Sequence, residues 1–116
     1  MLFVHYPKCT TCKRAKKYLD DNGFSYDERH IKDEPPSRTE LEAWYRKSGL
    51  PLKRFFNTSG MIYRDMGLKD KLPNMTEEEQ LDLLATDGML VKRPIVVTDS
   101  TVYVGFKEAE WDNLQK

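Results

Sequence analysis

The chain has only two cysteines and two histidines among its 116 residues, carries no excess of either charge, and contains no long apolar run. Each absence closes off a class of protein. Without a stretch of about eighteen apolar residues there is no candidate membrane-spanning helix. The opening M-L-F-V-H-Y-P has no basic head followed by a long apolar segment, so it does not read as a secretory signal. Lysine plus arginine equals aspartate plus glutamate at 19 each, so the surface as a whole offers no electrostatic case for nucleic acid or membrane. His5 and His30 do not complete a C-x2-C…H-x3-H zinc pattern with the cysteines, and we expect neither a metal nor a resident cofactor. Two cysteines are too few to staple a small fold, but this length can bury one core unaided. A single cytoplasmic domain over residues 1–116 is the expectation.

What is present reads as an α/β chain. Leu2 to His5 is a short apolar run ended by Pro7, a strand feeding a loop. From Thr10, the residues Cys12, Ala15, Tyr18 and Leu19 keep one helical face apolar while Lys13, Arg14, Lys16 and Lys17 take the other, and Asn22-Gly23 supplies a left-handed stop. Residues 24–31 alternate Phe24, Tyr26, Glu28 and His30, as a second strand parallel to the first would. After Pro35-Pro36, Ser37 and Glu40 form a capping box for a helix running to Ser48 with Gly49 as its stop. Leu52, Phe55 and Phe56 suggest a helical turn, and N-T-S-G at 57–60 is turn chemistry. Thr76 and Glu79 form a second capping box, with Gly88 expected to close that helix. Ile95–Val97 and Thr101–Val104 flank Asp99-Ser100 at hairpin spacing, ahead of a short helix carrying Phe106, Ala109 and Trp111. The order β-α-β, several helices, β-β-α predicts a mixed four-stranded sheet with an all-helical insertion at roughly 37–86.

Cys9 and Cys12 sit in C-T-T-C, between the first strand and the first helix. A sulfur at a helix N-terminus faces unpaired amide N–H groups and the positive end of the macrodipole, which favour a thiolate. Cys9 is therefore placed to attack, and Cys12, one turn further in, to resolve a mixed disulfide. Lys8, Lys13 and Arg14 add positive potential. Against this stand plainer readings, in which the cysteines pack as small hydrophobes and the cations form a solvated helix face. The second informative stretch is V-K-R-P-I-V-V at 91–97. A proline ahead of a β-branched run can be cis. If strand 95–97 lies beside strand 2–5, the Arg93–Pro94 peptide faces the cysteine loop, and its backbone and guanidinium become available to a thiol substrate or an anion. From spacing alone, a trans Pro94 after an ordinary surface arginine competes evenly.

The stretches H-Y-P-K-C-T-T-C-K-R-A, F-F-N-T-S-G-M-I-Y-R-D-M-G-L, D-G-M-L-V-K-R-P, K-R-P-I-V-V and V-G-F-K-E-A-E-W together resemble the glutaredoxin-linked arsenate reductase (ArsC) and Spx family. The resemblance covers nearly the whole chain and implies a thioredoxin-like fold with a helical insertion. It places the nucleophilic cysteine at Cys9 and the arginine before a cis-proline at Arg93. Lys8, Thr10, Thr11 and Pro94 are the candidate substrate-binding positions. It also implies an external thiol reductant, such as thioredoxin, glutaredoxin or a low-molecular-weight thiol. Arsenate reductases of this type are expected to set three arginines around the oxyanion, but the other two positions fall at Asn57 and Gly105, with Arg54 and Arg64 as candidate replacements. Cys12 adds a self-resolving dithiol, giving a Cys9–Cys12 redox-active disulfide. The alternative implied by the resemblance is an Spx-like redox-sensing regulator that binds RNA polymerase.

Overall fold

The computed structural model describes residues 1–114. Strand β1 (Leu2–His5) leads through Pro7 into helix α1 (Thr10–Asp21), which buries Cys12, Ala15 and Leu19. Their three- and four-residue spacing puts them on one stripe, leaving Lys13, Arg14 and Lys17 in solvent. Asn22 caps the helix and Gly23, at φ 72°, reverses the chain. Strand β2 (Asp27–His30) returns parallel to β1, pairing Leu2 with Asp27 and His5 with His30. It is shorter than the alternation over 24–31 suggested, because β1 offers only four partners. Phe24 and Tyr26 pack as loop residues against the cluster around Phe3 and Leu19.

Helix α2 (Arg38–Ser48) starts at the Ser37–Glu40 capping box and stops at Gly49, at φ 69°. A 3-10 turn at Leu52–Phe55 follows, then two short helices, α3 (Met61–Asp65) and α4 (Leu68–Lys71), and a further 3-10 turn at Leu72–Asn74. Helix α5 (Glu77–Leu84) opens at the Thr76–Glu79 capping box. Arg38 joins α2 to α5, its guanidinium bonding Asp82 at 2.9 Å and also pairing with Glu78. Gly88 does not close α5 as the sequence suggested. The helix ends at Leu84 with Ala85 as its cap, and Gly88 starts a 3-10 turn (Gly88–Leu90). Gly88 is needed for a close approach instead, since a Cβ there would lie 2.0 Å from the Ile31 carbonyl oxygen.

Strands β3 (Ile95–Val97) and β4 (Val102–Val104) form the expected hairpin, and α6 (Glu108–Trp111) is the last helix among the described residues. Ala109 faces solvent and Phe106 precedes the helix, so Trp111 alone is buried from α6 itself. The sheet order is β2-β1-β3-β4, with β1 parallel to β2 and antiparallel to β3. This is the thioredoxin-like α/β arrangement expected. Alternation along the strands divides the core in two. Phe3 and Val96 meet Ala15, Leu19 and Trp111 on one face, while Val4, Ile95, Val102 and Val104 meet Leu41, Phe55, Leu81 and Leu84 of the insertion on the other. Among the described residues, no helix is long and apolar enough to cross a membrane.

The two glycines give a test of these assignments. Gly88→Ala should destabilise by about 1–3 kcal/mol through overpacking against main chain that has nowhere to move. Gly49→Ala meets open space and bears only the left-handed φ, a cost of about 1 kcal/mol. Thermal denaturation of both variants should show the larger loss at Gly88, and equal losses would contradict the close packing.

Candidate functional site

The site grows from the end of β1. Because Val4 faces Ile95 across the antiparallel ladder, the chain beyond His5 runs alongside the chain before Ile95. The Tyr6–Cys9 loop thus lies next to Arg93–Pro94, and that peptide bond is cis. The Tyr6 main chain holds both cysteines. Its C=O accepts from the Cys9 N–H at 2.9 Å, and its N–H donates to Cys12 Sγ at 3.5 Å. Cys9 is the N-cap of α1 and half-buried, whereas Cys12 is wholly buried. Both are free thiols.

These positions make the two sulfurs electrostatically unequal. Burial pushes the Cys9 thiol up, but the Cys12 N–H and thiol and the Arg93 guanidinium stabilise the thiolate more strongly, leaving its pKa below the ordinary thiol value. Burial likewise raises Cys12, with only the Tyr6 N–H and Arg93 opposing, and the neighbouring Cys9 adds to the rise. Its pKa is pushed up to about 12. Arg93 has no carboxylate partner among the described residues. Its guanidinium stands over the Tyr6 ring, 5.2 Å from the centroid, and its Nε and Nη1 are buried without a hydrogen-bond partner. The His30 imidazole meets the same ring edge-on, with 5.5 Å between centroids.

Cys9, Thr11 and Arg93 line a cleft of about 530 Å³ with Asn57, Ser59, Gly60, Met61, Ile62, Met89 and Lys92. Of the residues singled out in the sequence, Lys8 and Thr10 are exposed and do not line this cleft, and Pro94 is buried and does not line it either. Arg54 and Arg64 line neighbouring depressions, so neither replaces an arginine beside Cys9. The far wall comes from the insertion. An isolated antiparallel bridge joins Phe56 to Val91, flanked by Asn57 N–H to Leu90 O at 2.7 Å and Lys92 N–H to Phe55 O at 2.8 Å. It lays the N-T-S-G turn beside K-R-P. The turn and Lys92 were visible in the sequence, but the pairing between them had no periodic signal. Among the described residues, no group of three or more His, Cys, Asp or Glu side chains is placed to hold a metal.

The ArsC family model matches residues 4–114. The chain is 55% identical to the uncharacterized protein YusI of Bacillus subtilis over 97% of its own length and 95% of that protein's. It is 25% identical to the global transcriptional regulator Spx of Listeria monocytogenes, over 90% of its length and 78% of Spx. A solved ArsC family related protein from Bacteroides fragilis superposes with a TM-score of 0.96 at 56% identity, covering 98% of this chain and 96% of that one. The fold, the cysteine loop against Arg93–Pro94 and these likenesses agree: the chain belongs to the ArsC family.

Proposed function

We propose that this protein is a thiol–disulfide oxidoreductase in which Cys9 attacks and Cys12 resolves. The observation that carries this reading is the inequality of the two sulfurs: one half-exposed in a cleft with a lowered pKa, the other buried with a raised one. The Cys9 thiolate attacks one sulfur of a substrate disulfide, and the other leaves as a thiolate. Cys12 then attacks Cys9 Sγ, releasing the bound thiol and leaving a Cys9–Cys12 disulfide, which two equivalents of an external thiol reductant return to the dithiol. Burial keeps Cys12 protonated at first. Forming the mixed disulfide removes the Cys9 charge, one of the causes that hold the Cys12 thiol up, so deprotonation becomes easier when it is needed. Thr11 lines the cleft with Cys9, and Lys8 adds positive potential at the loop. An arsenate-like oxyanion is a weaker candidate substrate, because Asn57 and Gly105 stand where two further arginines were expected and no other arginine lines the cleft.

A second reading is favoured by the likeness to Spx: the same dithiol senses oxidation and alters binding to a partner such as RNA polymerase. Recovery of polymerase from lysate on the immobilised chain, differing between reduced and oxidised protein, is the expected result under that reading. Recovery in neither state removes it.

Two outcomes test the first reading. Cys9→Ser should abolish exchange with a small disulfide, whereas Cys12→Ser should accumulate a stable mixed disulfide seen by intact mass; equal partial losses in both would contradict the assigned roles. In the native chain, alkylation of Cys9 should rise with pH as the thiolate forms and level off below the range of a free thiol, about 8.5. Arg93→Met should move that midpoint upward, since a cation that favours the charged form is lost. A midpoint unmoved by Arg93→Met would count against the electrostatic account.

A further inference from the structure

The Cys9 cleft does not end at Arg93. Lys92 lines it and also lines a second depression of about 390 Å³, with Pro51, Lys53, Arg54, Phe56 and Thr58. Lys53, Arg54, Lys92 and Arg93 therefore follow one another along two hollows that meet at Lys92. None of the four makes an ion pair among the described residues, as is true also of Arg14, Arg64 and several exposed lysines; what sets the four apart is that they line two hollows sharing Lys92. Neither hollow is lined by an acidic residue. In a chain of zero net charge, this is a local and uncompensated positive strip.

Size and backbone chemistry indicate what fits it. The first cleft alone has the volume of an organic ligand site, far more than a tetrahedral oxyanion fills. Beside the reactive sulfur, the Arg93 main-chain N–H and C=O make no hydrogen bond among the described residues. Those two groups suit the main chain of an extended peptide. Apolar Phe56, Met61, Ile62 and Met89 line the same path and offer contact for its side chains.

We propose that the two hollows form one groove for an extended acidic polypeptide segment, which brings a cysteine of its own to Cys9 and sets acidic side chains against Lys92, Lys53 and Arg54. This rests on the thiol–disulfide reading above and names its substrate class. The segment's cysteine arrives in a disulfide. Cys9 attacks that sulfur, the second thiol of the disulfide departs as a thiolate, and Cys12 then frees the segment as a thiol.

The test uses the reduced full chain and three short peptides. Each has a central cysteine carried as its mixed disulfide with thionitrobenzoate, flanked by glutamates, serines or lysines, and release of thionitrobenzoate is followed by absorbance. The acidic peptide should react about tenfold faster than the serine peptide at low ionic strength, the basic one slower than both, and about 0.5 M salt should bring the ratios towards one. In Lys53→Glu/Arg54→Glu the acidic-to-serine ratio should fall to about one or below, and Lys53→Gln/Arg54→Gln should give an intermediate ratio. A ratio near one in the native chain overturns the proposal, as does a ratio that survives both double variants. Oxidised glutathione is run in parallel. If its rate relative to neutral hydroxyethyl disulfide falls in the variants as steeply as the acidic peptide's relative to serine, the occupant is a small anionic thiol and the polypeptide groove is rejected. Release without charge preference sinks this inference alone, whereas no reaction with any disulfide sinks the exchange reading as well.

Discussion

The site depends on the register of β1 against β3. Val4 facing Ile95 is what makes the cysteine loop and the Arg93–Pro94 peptide neighbours, although they stand more than eighty residues apart. The core enforces that register. Phe3 and Val96 are fully buried on the α1 side, and Val4 and Ile95 are fully buried on the insertion side. A slip of one residue would turn each strand over, and with each such side chain contributing about 1.5–3 kcal/mol by burial, the slipped pairing is heavily disfavoured. The packing of apolar side chains thus sets the distance between a thiol and a guanidinium that do not themselves belong to the core.

Given that placement, the way Arg93 is held decides how much charge it offers. A carboxylate partner would position the guanidinium but cancel much of its field at Cys9. The Tyr6 ring positions it without cancelling it, through a contact worth about 0.5–2 kcal/mol. Tyr6 is then used three times: its carbonyl fixes the Cys9 amide, its amide meets the Cys12 sulfur, and its ring carries the arginine. The balance at Cys9 is between partial burial, which opposes a thiolate, and donors at the helix start together with Arg93, which favour it. At Cys12 burial prevails. A three-residue separation across the first turn of a helix is enough to produce both outcomes.

Much of this was legible in the sequence wherever a local rule applied. Apolar runs gave β1, β3 and β4, three- and four-residue spacing gave α1, and the Ser37–Glu40 and Thr76–Glu79 pairs gave the starts of α2 and α5. The pairing of Cys9 with Arg93 was accessible once the strand order was guessed. What was not legible is what depends on contacts between distant segments. Helices α3 and α4 are too short for periodicity to announce them, and Tyr63 and Leu68 are buried by packing on the insertion core. Gly88 looks like a helix stop, yet its lack of a side chain answers to the Ile31 carbonyl, fifty-seven residues earlier in the numbering. The Phe56–Val91 bridge, which delivers Asn57 and Ser59 to the cleft, joins single residues with no strand pattern on either side.

Gly105 shows that the expected arginines are not simply missing. Its φ of 77° lies in the left-handed region, its N–H donates to the Pro94 carbonyl at 2.8 Å, and its own carbonyl accepts from the Trp111 indole at 3.2 Å. The Lys92 Cε stands 3.3 Å from where a Cβ on residue 105 would sit. An arginine at 105 would have to take up a backbone conformation unfavourable to side chains and press on the Lys92 stem. The nearest side chain belongs to the residue that brings a second cation to the Cys9 cleft from beside Arg93 in the chain. The two arrangements differ in what they recognise. Several planar guanidinium forks converging on one point match the geometry of a small oxyanion, whereas one fork beside a flexible ammonium and the Asn57 amide imposes no such geometry and tolerates carboxylates spread along a larger partner. Gly105 and Lys92 together leave the cleft with one guanidinium and one ammonium, a pairing that suits the groove proposed above better than it suits a tetrahedral oxyanion.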